Sequence, residues 1–223
     1  MELYKDLQLF SRDRGVSTNT LDAYAKMTGQ YINPTITEER RMNVAQMDVF
    51  SRLLMDRILF LGTGIDSDVA NIVNSQLLFL QMCDPEKPVT MYINSPGGSV
   101  DDGMAIYDTA KLITCPVHTT CCGTAASMAA VLLASGERGH RTSLLHSRIM
   151  VHQPSGGAPR CTASDFAIVA REMDKCKDML YKCLAEDTGK DYEHIKEICD
   201  RDFWMSPEEA INEGIIDSIL KKQ

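Results

Sequence analysis

Val89-Thr90-Met91-Tyr92-Ile93-Asn94-Ser95-Pro96-Gly97-Gly98 reads as a strand that runs into a glycine turn. Working outward from it, the pattern alternates. Upstream, Ile58-Leu59-Phe60-Leu61 is a short apolar run ended by Gly62-Thr63-Gly64. Asp66 or Ser67 then caps a predicted helix reaching about Cys83, with Val69, Ile72, Val73 and Leu77 near helical spacing. Downstream, residues 100–113 read as a helix and 117–122 as a third strand. A helix of small residues follows from about Ala125, and residues 144–152 read as another extended segment. Strands separated by helices of this length predict an α/β fold with a mostly parallel sheet and crossover helices.

The 223 residues, 44% of them hydrophobic, suit one domain that buries roughly 70% of its unfolded surface. A net charge of −8 argues against a nucleic-acid binder, which needs a basic face. The eight cysteines form no C-x-x-C pair, and Cys121 and Cys122 are adjacent, so reduced thiols in a cytoplasmic setting are expected. The first residues, Met1-Glu2-Leu3-Tyr4-Lys5-Asp6-Leu7, mix charged with apolar side chains and hold no signal-peptide core. The small and apolar run over residues 125–134 is too short to cross a bilayer, so a soluble protein is expected.

Residues 1–33 read as an appendage, with Leu3, Leu7 and Phe10 on one short helical face and Leu21, Tyr24 and Met27 on another. Residues 165–187 carry the clearest helical period. Phe166, Val169, Met173, Cys176, Leu180 and Cys183 recur at intervals of three and four. That narrow stripe suits packing on another helix, although periodicity alone favours burial on its own domain.

Three segments carry the residue types of acyl transfer. The Gly97-Gly98 turn bares backbone N–H donors, Ser127 offers a hydroxyl nucleophile, and His152 ends the apolar run Ile149-Met150-Val151. Ser127 is expected in the first turn of a helix, where unpaired N–H groups favour a developing oxyanion. A serine there also serves as an ordinary helix cap. His152, halted by Gln153-Pro154, is expected to emerge at a sheet end; the histidines at 118, 140, 146 and 194 have no comparable setting. Among 31 acidic residues, Asp202 stands out between Arg201 and Phe203-Trp204, but spacing does not choose it over Asp200. The glycine turn also suits phosphate, yet neither G-x-G-x-x-G nor G-x-x-x-x-G-K-[ST] is present, and no G-x-S-x-G surrounds Ser127. Cys and His spacing along the chain gives no metal-ligand set.

Taken together, the segments resemble the ClpP family, the proteolytic subunits of Clp proteases, over residues 34–220. Asp48-Val49-Phe50-Ser51-Arg52-Leu53-Leu54-Met55-Asp56-Arg57-Ile58 is similar to the family's D-x-[YF]-S-R-L-L-x-x-R-[IV]. Tyr92 to Gly98 matches Y-I-N-S-P-G-G, Ala125-Ala126-Ser127-Met128 matches A-A-S-M, and His152-Gln153-Pro154 matches H-Q-P. Arg201-Asp202, Met205-Ser206 and Glu209-Ala210 resemble R-D-x-x-[ML]-S-x-x-E-A.

The resemblance implies a ClpP/crotonase-like α/β fold of repeated β-β-α units with a protruding handle helix, formed by the stripe from Phe166 to Cys183. It implies a serine endopeptidase domain over residues 34–223, with residues 1–33 as a prosegment or gating extension. It selects Asp202 as the third member of a Ser127–His152–Asp202 triad and gives the backbone N–H groups of Gly98 and Met128 to the oxyanion. Also implied are homo-oligomerisation as two stacked heptameric rings, unfolded polypeptide substrates and an AAA+ Clp unfoldase as partner. ATP would be used by that unfoldase, with neither cofactor nor metal in this chain. Tyr92, Leu78, Leu112, Leu144 and Leu220 fall at positions of the family's docking pocket, whereas Thr90 stands where the family often has an aromatic. The stretch from Ser155 to Cys161 is one residue longer than the common pattern and carries Pro159. Two rival functions share parts of this pattern: a catalytically silent scaffold subunit, and a crotonase-type acyl-CoA enzyme.

Overall fold

The computed structural model describes residues 35–40, 43–156 and 162–221. The expected short helices before residue 30, the boundary at 33/34 and Pro159 lie outside the described residues. The described residues before Arg57 belong to a compact unit separate from the rest. There β1 (Thr35–Arg40) pairs antiparallel with β2 (Asn43–Asp48), and α1 (Val49–Met55) follows at once. The Asp48 carboxylate caps α1 by accepting from the Ser51 N–H at 3.0 Å.

From Arg57 onward the alternation of strand and helix expected from the sequence is present. β3 (Ile58–Leu61) leads to α2 (Ser67–Cys83), whose N-cap is Asp66, accepting from the Val69 N–H at 2.9 Å. β4 (Val89–Ser95) leads to α3 (Val100–Leu112), and β5 (Val117–Ala126) to α4 (Met128–Ala134). β6 (Arg141–Leu144) and β7 (Arg148–Val151) follow, then the long α5 (Ala163–Thr188) and short α6 (Tyr192–Ile198). β8 (Phe203–Met205), α7 (Pro207–Asn212) and β9 (Ser218–Leu220) complete the described chain.

Two expectations are corrected. Residues 144–152 are not one strand but the end of β6 and β7, separated by a turn in which the Ser147 N–H donates to the Leu144 carbonyl at 3.1 Å. β5 runs four residues beyond its predicted end at 122, through the small residues Gly123-Thr124-Ala125-Ala126. Their strand conformation comes from pairing: β5 lies against β6 at Thr119–Cys121 and against β7 at Thr124–Ala126. The sheet therefore forks. One arm runs β3-β4-β5-β6-β9, all parallel, and the other runs from β5 through β7 to the antiparallel β8.

Period-two alternation gives the sheet two unlike faces. Leu59, Leu61, Val89, Met91, Ile93, Val117 and Cys121 are buried on one face, where α4 packs. α4 reads Met-Ala-Ala-Val-Leu-Leu-Ala and is buried along its whole length, as a helix apolar all round must be. The register Phe60–Tyr92–Thr120–Thr142–Ser218 traces the other face, which is partly open. Parallel sheets usually carry helices on both faces; on this face Thr120 is buried, Tyr92 and Thr142 are half-buried, and Leu144 and Leu220 are exposed. Among the described residues, no helix is long and apolar enough to cross a membrane.

Candidate active site

Ser127 sits between β5 and α4, one residue before the predicted first turn, with φ 56° and ψ −126°. A positive φ is uncommon for a residue with a Cβ and costs of order 1–3 kcal/mol. The site holds it there: the Ser127 N–H donates to the Met150 carbonyl of β7 at 2.8 Å. Its side chain makes no capping hydrogen bond, so the ordinary helix-cap role does not describe it.

Strand register explains what surrounds Ser127. β5 and β7 are parallel, with Ala126 opposite Met150. The residues just beyond their carboxyl ends, Ser127 and His152, therefore emerge side by side. β8 runs antiparallel to β7, with Val151 opposite Phe203. Extending that register by one step sets Asp202 opposite His152. The side chains meet accordingly: His152 Nε2 lies 2.8 Å from Ser127 Oγ, and Nδ1 lies 3.0 Å from Asp202 Oδ1. Asp200 is turned elsewhere; its backbone carbonyl accepts from Gln153 Nε2 at 2.7 Å, and its carboxylate lies 3.6 Å from Arg201. The His152 side chain is 21% exposed and that of Asp202 62%, so within one protomer this carboxylate acts more by orienting the ring than by an unscreened charge.

The glycine turn closes the site from the other side. Ile65 donates to the Gly97 carbonyl and accepts from the Ser99 N–H, both at 2.9 Å, so the intervening Gly98 N–H is directed away from Ile65. A Cβ on Gly98, at φ +156°, would lie 2.1 Å from the Ile65 oxygen; one on Gly97 would lie 2.8 Å from Ser127 Cβ and 2.9 Å from Met128 N. Only glycine permits so close an approach of this turn to the serine. Among the described residues, the N–H groups of Gly98 and Met128 have no protein acceptor. Beside Ser127 and His152 lies a cleft walled by Val100, Val131, Val151, Leu180, Tyr181 and Leu184.

This cleft was not foreseen from the sequence, and it divides the stripe on α5. Leu180 is buried at 6% exposure beside Ser127. Phe166 and Val169, about four and three turns earlier, are 60% and 37% exposed. Burial on the protomer thus accounts for the C-terminal part of the stripe and leaves the N-terminal part uncovered. Of the five residues expected at a docking pocket, register sets Tyr92, Leu144 and Leu220 on the open sheet face. Leu78 on α2 and Leu112 at the end of α3 are 46% and 77% exposed. None of the five lines the cleft at Ser127.

The family model for Clp protease matches residues 40–223. The chain is 51% identical over 212 residues to the ATP-dependent Clp protease proteolytic subunit of Porphyromonas gingivalis, covering 95% of both chains. It is 50% identical over 209 residues to the protein of that name from Bacteroides fragilis, covering 94% of both. ATP-dependent Clp protease proteolytic subunit 1 of Prochlorococcus marinus is 53% identical over 190 residues, 85% of this chain and 97% of the relative. A match covering 95% of the chain must include most of the sequence ahead of residue 40, so the Porphyromonas relative shares an N-terminal stretch of similar length. Family model and relatives agree over most of the sequence: the chain belongs to the Clp protease family.

Proposed function

We propose that the protein is a serine endopeptidase, the proteolytic subunit of an ATP-dependent Clp protease, and that Ser127, His152 and Asp202 carry its chemistry. The observation that bears most weight is the pair of contacts at His152, Nε2 to Ser127 Oγ at 2.8 Å and Nδ1 to Asp202 Oδ1 at 3.0 Å. In the productive tautomer the Nδ1–H donates to Asp202, leaving the Nε2 lone pair for the serine proton. Ser127 Oγ attacks the peptide carbonyl carbon while His152 takes its proton. The resulting oxyanion is met by the free N–H groups of Gly98 and Met128, the latter at the positive end of α4. Collapse breaks the C–N bond, and His152 returns the proton to the leaving amine. Water, deprotonated by the same imidazole, then hydrolyses the acyl-enzyme. The apolar cleft beside Ser127 favours an aliphatic or aromatic side chain next to the scissile bond.

The wider reading follows the family. Unfolded polypeptides are the substrate, fed by an AAA+ Clp unfoldase that consumes the ATP, so this chain requires neither nucleotide nor metal for cleavage. The subunits form two stacked heptameric rings in the cytoplasm, and residues 1–33 act as a prosegment or gate ahead of the peptidase domain at 34–223. The exposed apolar half of α5 supports an assembly contact. Neither a silent scaffold nor an acyl-CoA enzyme accounts for a serine and histidine held at hydrogen-bond distance.

Replacing Ser127 by alanine tests the chemistry. The variant should keep the wild-type melting temperature and lose peptide cleavage, with at most roughly 10³–10⁴-fold acceleration over water remaining from the oxyanion donors. A fluorophosphonate should label the wild type at Ser127 and leave the variant unlabelled. Substantial turnover by purified Ser127→Ala protein would overturn the assignment.

A further inference from the structure

The turn between α4 and β6 brings together three ligand-type side chains that are dispersed along the sequence. His118 stands near the start of β5, and Glu137 and His140 lie in the turn. One ligand atom from each lies within 4.8 Å of the others. His118 Nε2 is 3.3 Å from Glu137 Oε2, and the two imidazoles stack with centroids 4.0 Å apart and planes 4° from parallel. We propose that His118, Glu137 and His140 form a surface site for a divalent transition-metal ion of the zinc type, independent of the peptidase chemistry.

The donor set is the first argument. Two imidazoles and a carboxylate suit zinc and its neighbours rather than magnesium or calcium, and three protein ligands leave a fourth position for water. Rigidity is the second. The Glu137 N–H donates to the Val117 carbonyl at 2.8 Å, and the Thr119 N–H to the His140 carbonyl at 3.2 Å. These bonds bracket His118 on β5 and tie the turn to that strand. Asp217 accepts from the Gly139 and Arg141 N–H groups at 2.7 and 2.9 Å, which fixes the far side. The backbone carrying the ligands is thus set before any ion arrives.

Side-chain rotation supplies the remainder. Parallel stacked rings do not aim their lone pairs at one point, and metal–nitrogen distances of about 2.0–2.1 Å require ligand atoms roughly 3.3 Å apart. One imidazole must therefore turn about its Cβ–Cγ bond and close by roughly 1–1.5 Å. His140 and Glu137 are exposed, so that rotation meets no packed core. Metal binding takes the lone pair of each neutral imidazole, so affinity should fall as the pH is lowered. The site lies at the opposite end of β5 from Ser127, nine residues or roughly 30 Å away along a strand. Its register partner is Thr90, which sets it on the open sheet face that carries Tyr92.

The test uses metal-stripped full-length protein titrated with Co²⁺ and Zn²⁺. Wild type should bind one Co²⁺ per subunit with visible d–d bands and without the near-ultraviolet charge transfer of thiolate ligation. His118→Ala, His140→Ala and Glu137→Gln should each weaken that binding at least about tenfold, while peptide cleavage stays at the wild-type rate and confirms the fold. Unchanged cobalt affinity in the His118→Ala and His140→Ala proteins, a thiolate spectrum, or no binding at one equivalent would overturn the proposal.

Discussion

Ser127 occupies a backbone conformation that most residues with a Cβ avoid, and the bond from its N–H to Met150 holds it there. The residue before it ends β5 and the residue after it begins α4, so the strain arises where the chain must reverse character within one position. The sequence singled out the serine by its place where a strand gives way to a helix, and the histidine by its place at the end of an apolar run. Spacing left the carboxylate open, because Asp200 and Asp202 both flank Arg201 and no local rule separates them; only the family resemblance chose Asp202. What separates them is the antiparallel register of β7 and β8, a long-range pairing that leaves no mark on spacing. Asp202→Asn should therefore lower kcat on the order of 10⁴-fold by admitting the wrong imidazole tautomer, whereas Asp200→Asn should stay within a few-fold of wild type. Steady-state cleavage of a fluorogenic peptide by both variants decides this; inactivation by Asp200→Asn alone would reverse the assignment.

Most of the parallel arm and its helices was legible from local signals, whereas the short β9 was not read from the sequence. The Asp66 cap before α2 is one such signal, and the all-apolar α4 is plain in any window. The fork in β5 was not legible. Gly123-Thr124-Ala125-Ala126 has weak strand propensity, and only pairing with β7 makes it extended. Leu144 and Leu145 carried the apolar reading past the end of β6, and the polar His146-Ser147-Arg148 that follows is the only local mark of the break before β7. The glycine turn was visible as a turn, but its closeness to Ser127 depends on the bridge to Ile65. Gly98→Ala probes that bridge. A Cβ placed 2.1 Å from the Ile65 oxygen cannot be accommodated without moving the backbone, and the backbone conformation itself disfavours alanine by about 1–3 kcal/mol. The expected result is a lower melting temperature together with a loss of kcat of at least tenfold, since the displaced N–H is one of the two proposed oxyanion donors. Wild-type kcat in a destabilised Gly98→Ala protein would remove Gly98 from the oxyanion site.

At the scale of the whole molecule, two surfaces are more apolar than a lone protomer needs. The first is the N-terminal half of α5, where Phe166, Ile168 and Val169 are 60%, 50% and 37% exposed. Because Phe166 packs little within the protomer, Phe166→Asp should leave the protomer's fold intact and act on assembly, where an unpaired charge in an apolar contact costs several kcal/mol. Native mass spectrometry should then find single rings or smaller species; intact double rings would free this helix from the interface. A charge at Leu180 would not discriminate, since that side chain is buried beside Ser127. The second surface is the open sheet face. Tyr92 lies there between Phe60 and Thr120 in register, on the same face as Leu144 and Leu220. An aromatic ring supplies much of the contact area when an apolar segment docks. The Tyr92 side chain points to the face opposite the core, so its removal leaves Met91 and Ile93, the buried neighbours on β4, in place. Tyr92→Ala should therefore cleave small peptides at the wild-type rate, because they need no unfoldase. Degradation of a folded substrate in the presence of a Clp unfoldase and ATP should fall at least tenfold, matching the loss of one anchor worth about 1.4 kcal/mol or more. Parallel measurement of both activities in one preparation separates docking from folding. Equal losses in the two would mean that Tyr92 supports the sheet rather than the partner, and the docking face would have to be sought elsewhere.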